Sequence, residues 1–148
     1  MIKKFNYLFV TMFGIGKMKI IPGTFGSLVT VIILYILFHI LNISSNLILF
    51  GLIIIFIYSF SAVASYIANN EDKDPREIVI DEFIGQSIPI YLYEVSHGIE
   101  KLPNEAIIFY AICFILFRFF DIKKPFPINF FDKRFKNSFG VIMDDVVA

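Results

Sequence analysis

Residues 47–68 read Leu-Ile-Leu-Phe-Gly-Leu-Ile-Ile-Ile-Phe-Ile-Tyr-Ser-Phe-Ser-Ala-Val-Ala-Ser-Tyr-Ile-Ala, 22 positions with no ionisable side chain except Tyr58 and Tyr66. As a helix at about 1.5 Å per residue this run spans about 33 Å, enough to cross a hydrocarbon layer of roughly 30 Å. Immediately upstream, residues 25–41 form a 17-residue apolar run whose one potentially charged side chain is His39. Residues 42–46, Asn-Ile-Ser-Ser-Asn, are too few and too polar for anything but a tight turn. The pair reads as a helical hairpin built for an apolar solvent.

Two further blocks extend that hairpin. Residues 83–93 are apolar but short and contain Pro89; the preceding Asp74-Pro75-Arg76-Glu77 reads as an N-cap, a proline at the first helical position and a capping-box acid. A helix over 75–96, kinked at Pro89, is expected. The fourth block, residues 106–120, carries Arg118 near its end and stops ahead of Pro125 and Pro127. The expected fold is all-α: a small polytopic membrane helical bundle of about four apolar helices plus interfacial loops, with residues 1–148 as a single domain.

Composition agrees with an apolar solvent. The chain is 57% hydrophobic and only 18% charged, against about 25% charged in an ordinary soluble domain. Its mean hydropathy is +0.76. The formal net charge is zero, which gives no basis for attraction to nucleic acid. The single cysteine, Cys113, excludes an internal disulfide and sits in an apolar run as a small buried hydrophobe. The start, Met-Ile-Lys-Lys-Phe, lacks the long apolar stretch and small-residue cleavage site of a secretory leader, and is expected to be a retained segment at the membrane surface.

Charge placement tests the four-helix topology. If all four helices cross, 12 of the 13 basic residues fall on one side, and only Lys101 falls opposite. Basic residues mark the cytoplasmic face. The same division puts 10 of the 13 acids there too, leaving Glu94, Glu100 and Glu105 outside. No topology rule asks for acids on that face, so their gathering calls for a chemical reason.

Three polar clusters converge on it. The first is Gly14-Ile-Gly-Lys-Met-Lys-Ile-Ile-Pro-Gly23-Thr24-Phe-Gly26-Ser27, ahead of the first apolar helix. Its glycines allow tight turns, and a helix N-terminus offers free N–H groups to a phosphate, with Thr24 or Ser27 as cap or phosphate contact. A purely structural turn would look the same, and the Gly-Lys-Ser/Thr of a Walker loop is absent. The second is Asp81-Glu82, about two turns into the expected third helix and directly before its apolar part. Acids at that depth are costly and require a partner, whereas at the water boundary they would merely be solvated. The third joins Arg118, Asp121, Lys124, Asp132 and the Asp144-Asp145 pair; Arg118 and Asp121 are three apart and share a helix face.

Asp81, Glu82, Asp121, Asp144 and Asp145 together offer the hard oxygen ligands that Mg²⁺ prefers, and Arg118 and Lys124 can offset phosphoryl charge. One or two Mg²⁺ ions there would polarise a phosphoryl group and activate water. The pattern reads as phosphoryl chemistry at a membrane surface.

These residues resemble the phosphatidylglycerophosphatase A family over nearly the whole chain. The likeness lies in Pro22-Gly23-Thr24-x-Gly26-Ser27, in Asp74 followed by Ile78-Val79-x-Asp81-Glu82-x-x-Gly85, in Arg118-x-Phe120-Asp121-x-x-Lys124-Pro125-x-Pro127, and in Gly140-Val141-x-Met143-Asp144-Asp145-Val146-x-Ala148. The resemblance implies Mg²⁺-dependent hydrolysis of phosphatidylglycerophosphate to phosphatidylglycerol and phosphate, in the bacterial inner (cytoplasmic) membrane. It also implies an all-helical fold; the hydropathy and charge division lead to the expectation of a multi-pass bundle with the active site facing the cytoplasm. Oligomerisation is possible but nothing in the sequence indicates it. The sequence departs at Lys19, where the family usually has proline, at Ile80 and Phe126, where it has tryptophan, and at Asn137-Ser138, where it has Gly-Gly. Family members also continue beyond the position of Ala148 with a glycine and a final apolar helix, so that helix is expected to be missing here.

Other phosphatase chemistries do not fit. Cys113 and Arg118 have four apolar residues between them rather than a glycine-rich loop; Asp72-Lys-Asp74 leads into Pro75-Arg76 rather than Thr or Val; His39 and His97 are isolated. A CDP-alcohol transferase would need an Asp-x-x-Asp-Gly-x-x-Ala-Arg pattern, which is absent. The remaining alternatives are another Mg²⁺-dependent enzyme of phospholipid headgroups and a degenerate or truncated membrane protein without catalysis.

Overall fold

The structure is a computed structural model describing residues 2–68, 75–96, 103–135 and 137–148. Among these residues the chain is all helical, with no strand: α1 (Ile2–Val10), α2 (Pro22–Tyr35), α3 (Ser45–Ala68), α4 (Ile80–Ser96), α5 (Pro103–Lys123), α6 (Ile128–Arg134) and α7 (Ser138–Val147). A short 3₁₀ turn, Ile15–Lys17, precedes α2, which runs on as a π-helical turn over Ile36–Ile40.

Two of these helices, Pro22–Ile40 and Ser45–Ala68, are long and apolar enough to cross a membrane. In a soluble protein such helices would be core elements, mostly buried. Only 28% and 22% of their apolar windows are covered by the rest of the molecule. α5 shows the same division. It buries a stripe at Ala106, Tyr110, Cys113 and Phe117, while Ile107, Ile108, Ile112, Ile115 and Leu116 are exposed.

α4 begins later than the capping-box reading expected. Its first residue is Ile80, not Pro75. Asp74, the expected cap, lies outside the described residues, as do His97, Lys101 and Lys136. The physical reason is that residues 75–79 serve as a tether. The Val79 amide donates to the Val10 carbonyl (2.9 Å), and the Ile78 amide to the Pro75 carbonyl. Tyr66 on α3 donates its hydroxyl to the Glu77 carboxylate at 2.6 Å. Gly16 packs against the Glu77 carbonyl so closely that a Cβ there would collide with it. Asp81 and Glu82 therefore stand in the first turn of α4 rather than two turns in, where the free N–H groups and the helix dipole favour carboxylates.

Elsewhere the elements follow simple local causes. α2 starts with Pro22 at its first turn, where the missing N–H is not needed. Ser27 and Thr30 are buried and satisfy their hydroxyls by donating back to the Gly23 and Gly26 carbonyls, at 3.0 and 2.8 Å. α7 is capped by the Asn137 side chain, which accepts from the Gly140 amide at 3.1 Å. The core has two centres. One lies around Val63, Val79, Ile84 and Ile142; the other, around Leu34, Ile90, Tyr93 and Tyr110, lies further along the helices. At that second end His39 Nε2 is 3.1 Å from Glu94 Oε1, which also accepts from the Tyr110 hydroxyl at 3.0 Å. Thus α2 and α4 run side by side in the same direction, Gly23 beside Glu82 at one end and His39 beside Glu94 at the other.

Candidate active site

At the end of the bundle marked by Gly23 and Glu82, four segments close around a cleft of about 460 Å³. Its walls are the first turn of α2, the first turn of α4 with the residues before it, the last two turns of α5 with Lys124, and α7 from Val141 to Asp145. All five candidate acids, Asp81, Glu82, Asp121, Asp144 and Asp145, line it, together with Gly23, Thr24, Arg118 and Lys124. They come from separate stretches of sequence, and the helix packing brings them to one place.

Within the cleft the acids fall into two sets. Asp81, Glu82 and Asp145 each offer a carboxylate oxygen, and these oxygens lie within 4.8 Å of one another. The other two acids are paired with cations. Asp121 Oδ2 is 2.6 Å from Arg118 Nη1, and Asp144 Oδ2 is 2.6 Å from Lys124 Nζ. Arg118 also reaches towards Glu82 Oε1 at 3.8 Å and donates to the Ser27 hydroxyl at 3.5 Å. Lys124 holds its position with φ of 42°, in the left-handed region that a non-glycine residue seldom adopts.

Two glycines permit the closeness. A Cβ on Gly23 would collide with the Glu82 carboxylate, and one on Gly85 would lie 2.5 Å from the Asp145 carbonyl oxygen and 2.7 Å from the Phe117 ring. Gly26 and Ser27 stand behind this wall rather than in it. Gly26 packs against Val79, and Ser27 is fully buried. Asp132 has no described side chain.

The electrostatics of the acids are demanding. Asp145 is buried, and burial together with the charges of Asp81, Glu82, Asp121 and Asp144 pushes its carboxyl well above the ordinary range. Three converging carboxylates repel one another unless a proton or a cation sits among them.

The chain matches the model of the family described as phosphatidylglycerophosphatase A over residues 8–148. It belongs to that family. It is 37% identical over 142 residues to a phosphatidylglycerophosphatase A of Haemophilus influenzae, covering 96% of this chain and 80% of the relative. It is 32% identical over 148 residues to one of Escherichia coli K12, covering 96% and 76%. A Bacteroides thetaiotaomicron protein named "Putative phosphatidylinositol-3-phosphatase" is 33% identical over 140 residues, covering 93% and 82%. No solved structure matches the chain. As a member of the phosphatidylglycerophosphatase A family the protein is a phosphatase.

Two residues near the site, Arg76 and Gln86, belong to none of the three polar clusters of the sequence. Arg76 lines the cleft; in sequence it is one of many basic residues on its side, and only the tether through Glu77 brings it here. Gln86 is fully buried one turn beyond Glu82 on α4. Its signal in the sequence is an amide which, with Ser87, interrupts the apolar run 83–93 and demands a partner.

Proposed function

We propose that this protein hydrolyses phosphatidylglycerophosphate to phosphatidylglycerol and inorganic phosphate, using Mg²⁺, at the cytoplasmic face of a bacterial inner membrane. The observation that carries the reading is the convergence of the Asp81, Glu82 and Asp145 oxygens within 4.8 Å, beside Arg118 and Lys124 in one cleft. The donor set fits the ion: three hard carboxylate oxygens suit Mg²⁺, which keeps its remaining positions for water and phosphate. Asp81, Glu82 and Asp145 would hold it, with Asp121 and Asp144 at the edge of the site. When bound, the ion supplies positive charge to the phosphoryl oxygens and lowers the pKa of coordinated water.

The chain's own residues do the rest. Arg118 and Lys124 present a guanidinium and an ammonium to the phosphate, a fork and a point charge with different geometries. Asp121 and Asp144 hold those two cations in place through 2.6 Å contacts. The first turn of α2, with Gly23 and Thr24 in the cleft wall, turns its free N–H groups and partial positive charge towards an anion. Burial of the surrounding core at Ile142 and Val79 keeps bulk water to the open side of the cleft. Ile122, exposed at the end of the apolar face of α5, lines the cleft, which suits a phosphate carried on a lipid. If α2, α3, α4 and α5 all cross, the cleft lies on the side that holds Lys17, Lys19, Arg76, Lys123 and Lys124, which the positive-inside rule would make cytoplasmic.

The experiment is phosphate release in detergent micelles by the purified full chain, with and without EDTA. Phosphatidylglycerophosphate, phosphatidic acid and a phosphatidylinositol 3-phosphate serve as competing substrates; the last is chosen because of the Bacteroides relative's name. Release from phosphatidylglycerophosphate that stops with EDTA is the expected result. A strong preference for the inositol lipid would replace the substrate, and EDTA-resistant release would remove the metal.

A further inference from the structure

Gln86 is fully buried, and neither its side-chain Nε2 nor its Oε1 has a hydrogen-bond partner among the described residues. Gln86 lies four residues after Glu82, so the two side chains stand one above the other on the same face of α4. Two further buried atoms on the neighbouring side chains are likewise unpartnered, Glu82 Oε2 and Arg118 Nε. Arg118 and Glu82 face each other at 3.8 Å. The polar groups nearest in register on α2, Ser27 and Thr30, spend their hydroxyl protons on their own helix. A buried amide with a free donor and a free acceptor is costly, and native proteins satisfy such groups with protein, water or ligand. Gln86 has no stabilising role as it stands, because leucine or methionine would fill the same space without the penalty.

We infer that Gln86 marks a polar subsite behind the catalytic cleft that takes one hydroxyl oxygen, a group able to donate and accept at once. Either Gln86 Nε2 donates to that oxygen and its hydroxyl proton goes to Glu82 Oε2, or the oxygen gives its proton to Gln86 Oε1 and accepts from Arg118 Nε. This deepens the proposed function and rests on it for the identity of one possible source. The oxygen is either the free hydroxyl of the glycerol headgroup, which lies between the phosphodiester and the terminal phosphate, or an enclosed water. In the first case Gln86 determines specificity; in the second it is a positioning residue that steadies Glu82 and Arg118.

The test uses Gln86→Met in the full chain, with phosphatidylglycerophosphate and phosphatidic acid as substrates. Both are phosphate monoesters, and only the first carries the headgroup hydroxyl. A roughly tenfold or greater fall in kcat/KM confined to phosphatidylglycerophosphate assigns the subsite to the headgroup. A similar fall on both substrates, carried by kcat with KM unchanged, assigns it to water. Unchanged kinetics on both overturn the inference. A second measurement needs neither a variant nor turnover. In wild-type chain labelled with ¹⁵N-glutamine, the Gln86 amide protons are expected to show cross-relaxation with water or with the glycerol protons of added lipid. A Gln86 amide silent towards both would overturn the inference even if the chain proved inactive on every lipid, a result that by itself would reject only the proposed function.

Discussion

Arg118 Nη1 lies 2.6 Å from Asp121 Oδ2 and 3.8 Å from Glu82 Oε1. One guanidinium thus joins the last turn of α5 to the first turn of α4 at the mouth of the cleft. Arg118→Lys keeps the charge and loses the fork, so it is expected to cut kcat/KM on the order of 100-fold while the melting temperature changes little. Steady-state phosphate release and a thermal melt of the same preparation check this. Activity near wild type would take Arg118 out of phosphate binding.

Asp121→Asn leaves Arg118 without its close ion partner, with only Glu82 at 3.8 Å remaining, but removes none of the three converging oxygens. It is expected to abolish most turnover while expression stays near normal, and to leave Mg²⁺ half-saturation nearly unchanged. Asp81→Asn is expected to shift half-saturation upward as well, by roughly 10-fold or more. Mg²⁺ titrations of the two variants separate the roles; identical shifts would merge the two sets of acids.

Gly85→Ala places a methyl group against the Phe117 ring and the Asp145 carbonyl, and the backbone carbonyl cannot yield without moving α7. A loss of about 1–3 kcal/mol is expected from overpacking, together with loss of activity through displaced Asp145. Gly51, with open space around its Cβ position, is the control. Gly51→Ala is expected to leave stability unchanged or raised by up to about 1 kcal/mol.

The far end offers a prediction about stability alone. His39, Glu94 and Tyr110 tie α2, α4 and α5 together, and both His39 and Glu94 are largely covered. Glu94→Leu leaves the His39 ring and the Tyr110 hydroxyl without their acceptor, so a loss of a few kcal/mol is expected, with the KM of the remaining folded enzyme unchanged. A thermal melt and a KM measurement decide it.

The two long apolar helices could be read directly because their length and unbroken apolar composition, enough to cross a hydrocarbon layer, are displayed in the sequence itself. The start of α4 could not. Pro75-Arg76-Glu77 has the local pattern of a helix N-terminus, but its groups are claimed by distant ones: Val10 takes the Val79 amide, and Tyr66 takes Glu77. Local pattern lost to tertiary hydrogen bonds. Likewise the sequence supplied five acids and two cations, and it paired Arg118 with Asp121 through their helical spacing. It could not show that Lys124 belongs to Asp144, 20 residues away across a turn and α6. Nor could it separate Asp145, buried in the carboxylate triad, from its neighbour Asp144. Adjacent residues on a helix point about 100° apart, and only the packing of α7 on α4 decides which one joins Asp81 and Glu82.

The most direct test of the central claim is phosphate release from phosphatidylglycerophosphate by EDTA-stripped chain as Mg²⁺ is added back, comparing wild type with Asp145→Asn. The stripped wild type is expected to be silent and to recover fully with Mg²⁺, while Asp145→Asn stays silent or recovers only at far higher Mg²⁺. Turnover by the stripped wild type, or equal recovery of both proteins at the same Mg²⁺, would contradict a cation held by Asp81, Glu82 and Asp145.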